Sequence, residues 1–268
     1  MITNTQHELI HLFRQLIEKY GKDMIVKGAF SLILNTSELY PLIDNRFTGD
    51  IDFYLKQNFG DFLDSLTVSG ICSLSGKTYV FTKQRTPKKN SGGRVKAVAG
   101  EVNVLLDVQI DDYLNPITVM TDNLLVKVTS PLSIVIDKLD AISKPKVVMR
   151  PKDLFDLYVI SLLYEFRYKE IRNHPDFKIV GTFEEFIENW ETISEAYYTE
   201  EILIGQDMPD FDNLYIRVKE FASPFIVERE LVTKELEWSK SEGRWVSKEP
   251  PITLTASNIF AKRGAYKK

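Results

Sequence analysis

A single cysteine, Cys72, stands among 268 residues, so no disulfide can close within the chain, and the sequence fits a reducing, cytoplasmic setting. Histidine is almost as scarce: His7, His11 and His174 are scattered without ligand spacing, which argues against zinc. No stretch approaches the ~18–20 apolar residues of a membrane span. The longest candidates, 117–128 and 154–163, are broken by charge or too short. The N-terminal segment carries polar or charged residues every few positions and holds no apolar core of signal-peptide length. Positive charge is not in excess either, with 34 basic against 38 acidic residues and a net charge of −4, which excludes a globally basic nucleic-acid binder. Repeats and low-complexity tracts are absent. The expectation is a soluble protein acting away from membranes.

What is present is ordinary globular composition, 44% hydrophobic and 27% charged, enough for one large or two small domains. Residues 7–20 place Leu9, Leu12, Phe13, Leu16, Ile17 and Tyr20 at helical spacing, with Gly21 as the closing cap. Met24–Val26, Lys27-Gly28 and the apolar stretch through Leu34 read as strand, tight turn and helix. Ile51–Leu55 alternates as a half-buried strand, and Phe59–Leu66 reads as a helix. Thr78–Thr82 and Val102–Ile110 read as strands joined by a basic loop with a turn at Asn90-Ser91-Gly92-Gly93. After Ser130-Pro131 the periodicity becomes helical: Leu132–Ile142, Leu154–Leu162, Phe183–Tyr197, Leu214–Phe225 and Val227–Trp238. The expected organisation is a mixed α/β domain over 1–129 and a mainly helical domain over 130–268. The latter ends in a tail from Gly243.

The chemistry concentrates in Arg46-Phe47-Thr48-Gly49-Asp50-Ile51-Asp52. Side chains at i and i+2 of a strand share a face, so Asp50 and Asp52 lie together while Ile51 turns into the core. Two adjacent carboxylates call for a cation, and Mg²⁺ suits hard oxygen ligands and phosphate together. Asp107 interrupts the apolar run Val104–Val108, where an acid must be paired, bound to a metal, or placed on a solvent-facing edge. Beside the Asp50/Asp52 strand it would complete a three-carboxylate site for phosphoryl displacement. Lys27-Gly28-Ala29-Phe30-Ser31 forms a candidate phosphate cradle, with close backbone approach at Gly28, a helix N-terminus, and the Ser31 hydroxyl as a further donor. Between Lys77 and Lys96 lie seven basic residues and no acid. That segment is either a solvated hairpin or a surface for an RNA backbone.

Together these segments resemble the nucleotidyltransferase superfamily, and more specifically the AbiEii/AbiGii toxin family of abortive-infection and toxin–antitoxin systems. Lys27-Gly28-Ala29-Phe30-Ser31-Leu32 is similar to its K-G-G-x-[ST]-L turn, with Ala29 in place of the second glycine. Arg46-x-Thr48-x-Asp50-Ile51-Asp52 matches R-x-[ST]-x-D-I-D. Asp107 falls where the family has its third acid. Lys138-Leu139-Asp140-Ala141 matches K-L-x-A, and Arg150–Tyr158 matches R-x-K-D-x-x-D-L-Y.

The resemblance implies a Mg²⁺-dependent transfer of a nucleoside monophosphate from an NTP to an acceptor hydroxyl, with RNA, and tRNA 3′ ends in particular, as the favoured acceptor. It also implies the role of a toxin with a cognate antitoxin. Asp50, Asp52 and Asp107 would hold the metal, with Asp107 alternatively serving as base. Thr48 would donate to a phosphate oxygen, Arg46 would pair with an acid or with phosphate, and Lys138 would neutralise triphosphate charge. Asp153 and Asp156, on one helical face, would orient Lys138 or contact the base. Plainer roles exist for each: a solvated Lys138, an Asp153 favoured by the helix dipole, an Arg150–Asp153 structural pair. A metal-dependent phosphodiesterase and a non-catalytic partner-binding protein on the same fold are the alternative functions.

Overall fold

Alternation along Asp50-Ile51-Asp52-Phe53-Tyr54-Leu55 decides which side of the sheet meets the core. The computed structural model describes residues 4–56, 58–68, 78–85, 92–111, 115–121, 123–177, 179, 181–226 and 235–247. Among these the elements begin with α1 (Asn4–Tyr20), β1 (Met24–Lys27), α2 (Gly28–Thr36), β2 (Asp50–Leu55), α3 (Phe59–Val68), β3 (Val80–Arg85), β4 (Gly92–Ala99), β5 (Val102–Ile110), β6 (Ile117–Thr121) and β7 (Leu124–Val128). There follow α4 (Pro131–Ser143), α5 (Pro151–Leu163), α6 (Tyr168–Arg172), α7 (Glu184–Glu188), α8 (Trp190–Thr199), α9 (Phe211–Ile226), β8 (Leu236–Ser239) and β9 (Arg244–Ser247). The fold is mixed α/β, as the sequence predicts.

Seven of the described strands make one mixed sheet in the order β3-β4-β5-β2-β1-β7-β6. Strand β2 is central, parallel to β5 and antiparallel to β1. Ile51, Phe53 and Leu55 are fully buried and share a core with Leu9, Leu12 and Leu16 of α1, Phe62 of α3 and Leu106 of β5. The Phe62 ring meets Phe53 and Tyr20 edge-on, the favoured arrangement for aromatic quadrupoles. The opposite face of the sheet carries the acids.

A second core gathers Ile136 and Leu139 of α4, Leu154, Phe155 and Leu157 of α5, Phe221 of α9 and Trp238 of β8. Helix α2 serves both: Phe30 belongs to the sheet core, whereas Leu32 belongs to the helical one. Just before β2, the backbone at 45–47 bonds to 202–204, through Phe47 N–H to Ile202 O at 2.8 Å and Ile204 N–H to Asn45 O at 2.8 Å. The approach to the acids is thereby stitched to the helical half.

Several expectations change. Gly92–Ala99 is not a loop but strand β4, which pairs with β3 and β5 along its length. The expected strand over Thr78–Thr82 lies instead at Val80–Arg85 and does not adjoin β5. The helix expected over Phe183–Tyr197 is two, broken at Asn189. The helix expected through Trp238 is corrected to strand at Leu236–Ser239, where Trp238 N–H bonds to Phe166 O at 2.7 Å. Residues 227–234, Cys72, Lys77, Lys88, Lys89 and the tail beyond 247 lie outside the described residues.

Because Ile51 has no exposed surface, Ile51→Ala is expected to destabilise the fold by about 2–5 kcal/mol through lost burial and a cavity. A urea unfolding midpoint that stayed at the wild-type value would contradict this packing.

Candidate active site

Register brings the sequence-predicted acids together. In the parallel β2–β5 ladder Asp52 stands opposite Asp107, and in the antiparallel β1–β2 ladder it stands opposite Lys27. Burial, reinforced by the Asp50 charge, pushes the Asp52 carboxyl up to about 7; Lys27 opposes this and Asp107 adds to it. The Thr48 hydroxyl donates to the Asp50 carboxylate at 3.2 Å and to its carbonyl at 3.1 Å. In this structure it therefore orients Asp50. Asp107, 37% exposed, pairs with Arg94 of β4 at 2.6 Å, and that hydrogen bond holds the Arg94 guanidinium above its ordinary range. Among the described residues no group of three or more His, Cys, Asp or Glu side chains is arranged to hold a metal ion. The expected set of three acids thus shares a face without closing into one donor set, because Asp107 is turned to Arg94.

Gly28 begins α2 at φ +64°. A side chain there would meet that left-handed strain and would run into Oδ2 of Asp52. Glycine therefore lets the helix N-terminus approach the acid. The flanking residues are placed otherwise than expected. Lys27 donates to Gln109 Oε1 at 2.6 Å and lies over the Tyr54 ring. Ser31 is fully buried, and its hydroxyl is bonded to Thr129 O at 3.0 Å and to Thr129 Oγ1 at 2.8 Å. The Ser31 hydroxyl is thus spent inside the fold.

The remaining predicted residues meet in a buried ion cluster. Arg46, 3% exposed, grips Asp156 of α5 through Nε at 2.9 Å and Nη2 at 3.1 Å. Lys138 of α4 reaches Asp156 at 2.8 Å and Asp153 at 2.5 Å. Arg150 adds a longer contact to Asp153, 3.4 Å. For Asp156, burial opposes ionisation, but Arg46 and Lys138 outweigh it and hold the carboxyl below its ordinary range. For Lys138, burial opposes the charge, while Asp153 and Asp156 hold its ammonium above the ordinary range. Of the alternatives open in the sequence, Arg46 takes the acid partner. Lys138 is not a solvated lysine, since its side chain is 14% exposed.

Between these groups opens a cavity of about 480 Å³. Gly28, Ala29, Thr48, Asp50 and Asp52 line it from the sheet side, and Lys138, Arg150, Lys152 and Asp153 from the helical side. Phe47, Met149 and Glu200 are also among its lining residues. Sequence reasoning assigned no role to Phe47, Met149, Lys152 or Glu200. Lys152 sits inside the R-x-K-D segment and carried a signal, but Glu200 lies some fifty residues further on and joins only through tertiary structure.

In fold and in the placement of these groups the protein is of the nucleotidyltransferase class. More particularly, the family model described as nucleotidyl transferase AbiEii toxin, type IV TA system, matches residues 11–213, and the chain belongs to that family. Among solved structures it is similar to the polyadenylate synthase of Megavirus, with TM-score 0.41 and 17% identity over 57% of this chain. It is likewise similar to the nucleotidyltransferase toxin MenT4 of Mycobacterium tuberculosis H37Rv, with TM-score 0.38 and 15% identity over 57% of this chain. The chain spans 31% of the first and 59% of the second. No curated protein matches it. No helix among the described residues is long and apolar enough to cross a membrane.

Two substitutions test the electrostatics. The Asp52 carboxyl is raised in the folded state, from 3.8 to about 7. Its contribution to stability is therefore full below pH 3.8 and is lost as pH rises through about 7. Asp52→Asn should gain thermal stability over the wild type across that window in chelator, and Mg²⁺ should narrow the gap; a gap independent of pH would contradict the assignment. Asp156→Asn strips a buried partner from both Arg46 and Lys138, and should cost about 3–5 kcal/mol in denaturant titration.

Proposed function

We propose that the protein transfers a nucleoside monophosphate from an NTP to an acceptor hydroxyl, releasing pyrophosphate, as the toxin of a type IV toxin–antitoxin pair acting in the cytoplasm. The observation that carries this reading is the one cavity onto which Gly28, Asp50, Asp52 and Lys138 open, drawn from segments as much as 110 residues apart. A phosphodiesterase would need the acids, but not a glycine-headed helix and a lysine facing them. Residues 1–129 would form the catalytic half and 130–268 the helical half; the presence of two cores supports this division, with Leu32 and Ile43 of the first half reaching into the second core.

In this reading Asp50 and Asp52 would hold Mg²⁺. Their chemistry fits the ion: two hard carboxylates side by side, one resisting ionisation because it is buried next to the other. When bound, the metal supplies neutralisation of charge on the phosphoryl oxygens. The chain does the rest by positioning. Thr48 fixes the Asp50 carboxylate. The α2 N-terminus at Gly28 offers backbone N–H groups and the positive end of its dipole to phosphate. Lys138, kept protonated by Asp153 and Asp156, sets a fixed positive charge on the facing wall. Asp107 would accept the proton of the attacking hydroxyl, or join Asp50 and Asp52, once Arg94 lets it go.

RNA, with tRNA 3′ ends favoured, is the proposed acceptor. Arg94 is exposed on β4 beside Asp107, and Lys96 stands opposite Leu105 on the same open face. Both belong to the basic segment 77–96, and phosphate contacts of this kind would hold a backbone without reading sequence.

The test is incubation with each labelled NTP, Mg²⁺ and total cellular RNA, followed by asking which macromolecule carries label. Asp50→Asn should abolish labelling while the protein stays folded. Lys138→Ala should weaken NTP binding by roughly 1.5–3 kcal/mol, the scale of a charge-assisted hydrogen bond. Label retained in full by Asp50→Asn would overturn the reading.

A further inference from the structure

The helical wall of the cavity holds a combination that phosphate binding does not explain. Glu200, 47% exposed, pairs with Lys152 at 2.8 Å, and both line the cavity. A carboxylate repels phosphate, so Glu200 serves a nucleotide only by accepting from N–H or O–H groups. Lys152 is placed by the Phe47 ring, 4.8 Å from its Nζ, a cation–π contact that fixes the ammonium on one side of the cavity. Met149 stands beside them at 76% exposure, the greatest among the described large hydrophobic side chains. A polarisable thioether so exposed at a charged cavity is open to a ligand, and thioethers pack well against the edge or face of a flat ring.

Resting on the reading of the cavity as an NTP site, we infer that Met149, Lys152 and Glu200 form the nucleobase subsite. Met149 lies against the ring, while Glu200 accepts from the base's N–H groups and Lys152 donates to its ring nitrogen or carbonyl. The α2 N-terminus, with the Mg²⁺ that Asp50 and Asp52 would hold, then takes the triphosphate on the opposite wall, so the nucleotide runs from sheet to helices. An acceptor and a donor held side by side match neighbouring groups on a base's hydrogen-bonding edge. A base that presents them in the wrong order sets a donor against Lys152 and an acceptor against Glu200, and that mismatch is the source of discrimination.

The experiment is calorimetric titration of the full chain with Mg²⁺ and each of the four NTPs, their 2′-deoxy counterparts, and inorganic tripolyphosphate. Wild type should favour one or two bases by about tenfold or more over the others. Glu200→Ala and Lys152→Met should collapse that ranking, and Met149→Ala should weaken all four NTPs. All three variants should leave tripolyphosphate affinity within about twofold of wild type. Equal affinity of the wild type for all four bases overturns the subsite alone, as does a loss shared by tripolyphosphate. A loss in Glu200→Ala that is equal for every base and absent from the 2′-deoxy series puts Glu200 on the ribose and also overturns it. Binding of neither NTPs nor tripolyphosphate overturns the subsite together with the proposed function beneath it.

Discussion

The buried contact between Arg46 and Asp156 is the constraint on which the site depends. Each ion alone would be costly to remove from water, by several kcal/mol after relaxation. Two parallel hydrogen bonds, a planar guanidinium matched to a carboxylate, and the second cation of Lys138 together offset that cost. Because Arg46 precedes β2 and Asp156 is on α5, the same contact sets where the central strand enters the sheet relative to the helices. The backbone bonds from 45–47 to 202–204 act in the same direction. The distance across the cavity is thus fixed by charge at its base.

A second arrangement runs the other way. At Asp52 the structure brings like charges together and buries one of them, which raises the free energy of the ionised state. Such local conflict is tolerated because the surrounding packing is satisfied: Ile51 and Phe53 on the reverse face are fully buried. A stable apolar face carries a strained polar one. Carboxylates perturbed in this way cluster at functional sites.

Much of this was legible in the sequence. Period two placed Asp50 and Asp52 on one face, and the i, i+3 spacing placed Asp153 and Asp156 on another; both follow from local geometry. What escaped depended on distant pairing. Strand β4 was obscured by its Gly92-Gly93 start and its Arg94 and Lys96, which read as a turn and a solvated loop until β3 and β5 are set on either side. The strand at Leu236–Ser239 has no period strong enough to reveal it. Ser31 looked like a free donor because its partner, Thr129, lies 98 positions away. Asp107 was legible as an acid needing a reason, but its turn toward Arg94 follows from the β4–β5 register, which a missed strand cannot supply.

The separation of Arg46 from Asp156, 110 positions in the chain, also bears on when the cavity comes into being. Contacts of such range form late, after the loops between them have closed. During synthesis the segment bearing Asp50 and Asp52 leaves the ribosome long before α5 exists, and Glu200 follows later still. A nascent or truncated chain that stops short of α5 carries the paired acids and Lys138, but lacks the Asp153 and Asp156 carboxylates that hold its ammonium. The lining of the cavity is assembled only once the chain has been made through Glu200, so shorter fragments lack its full wall.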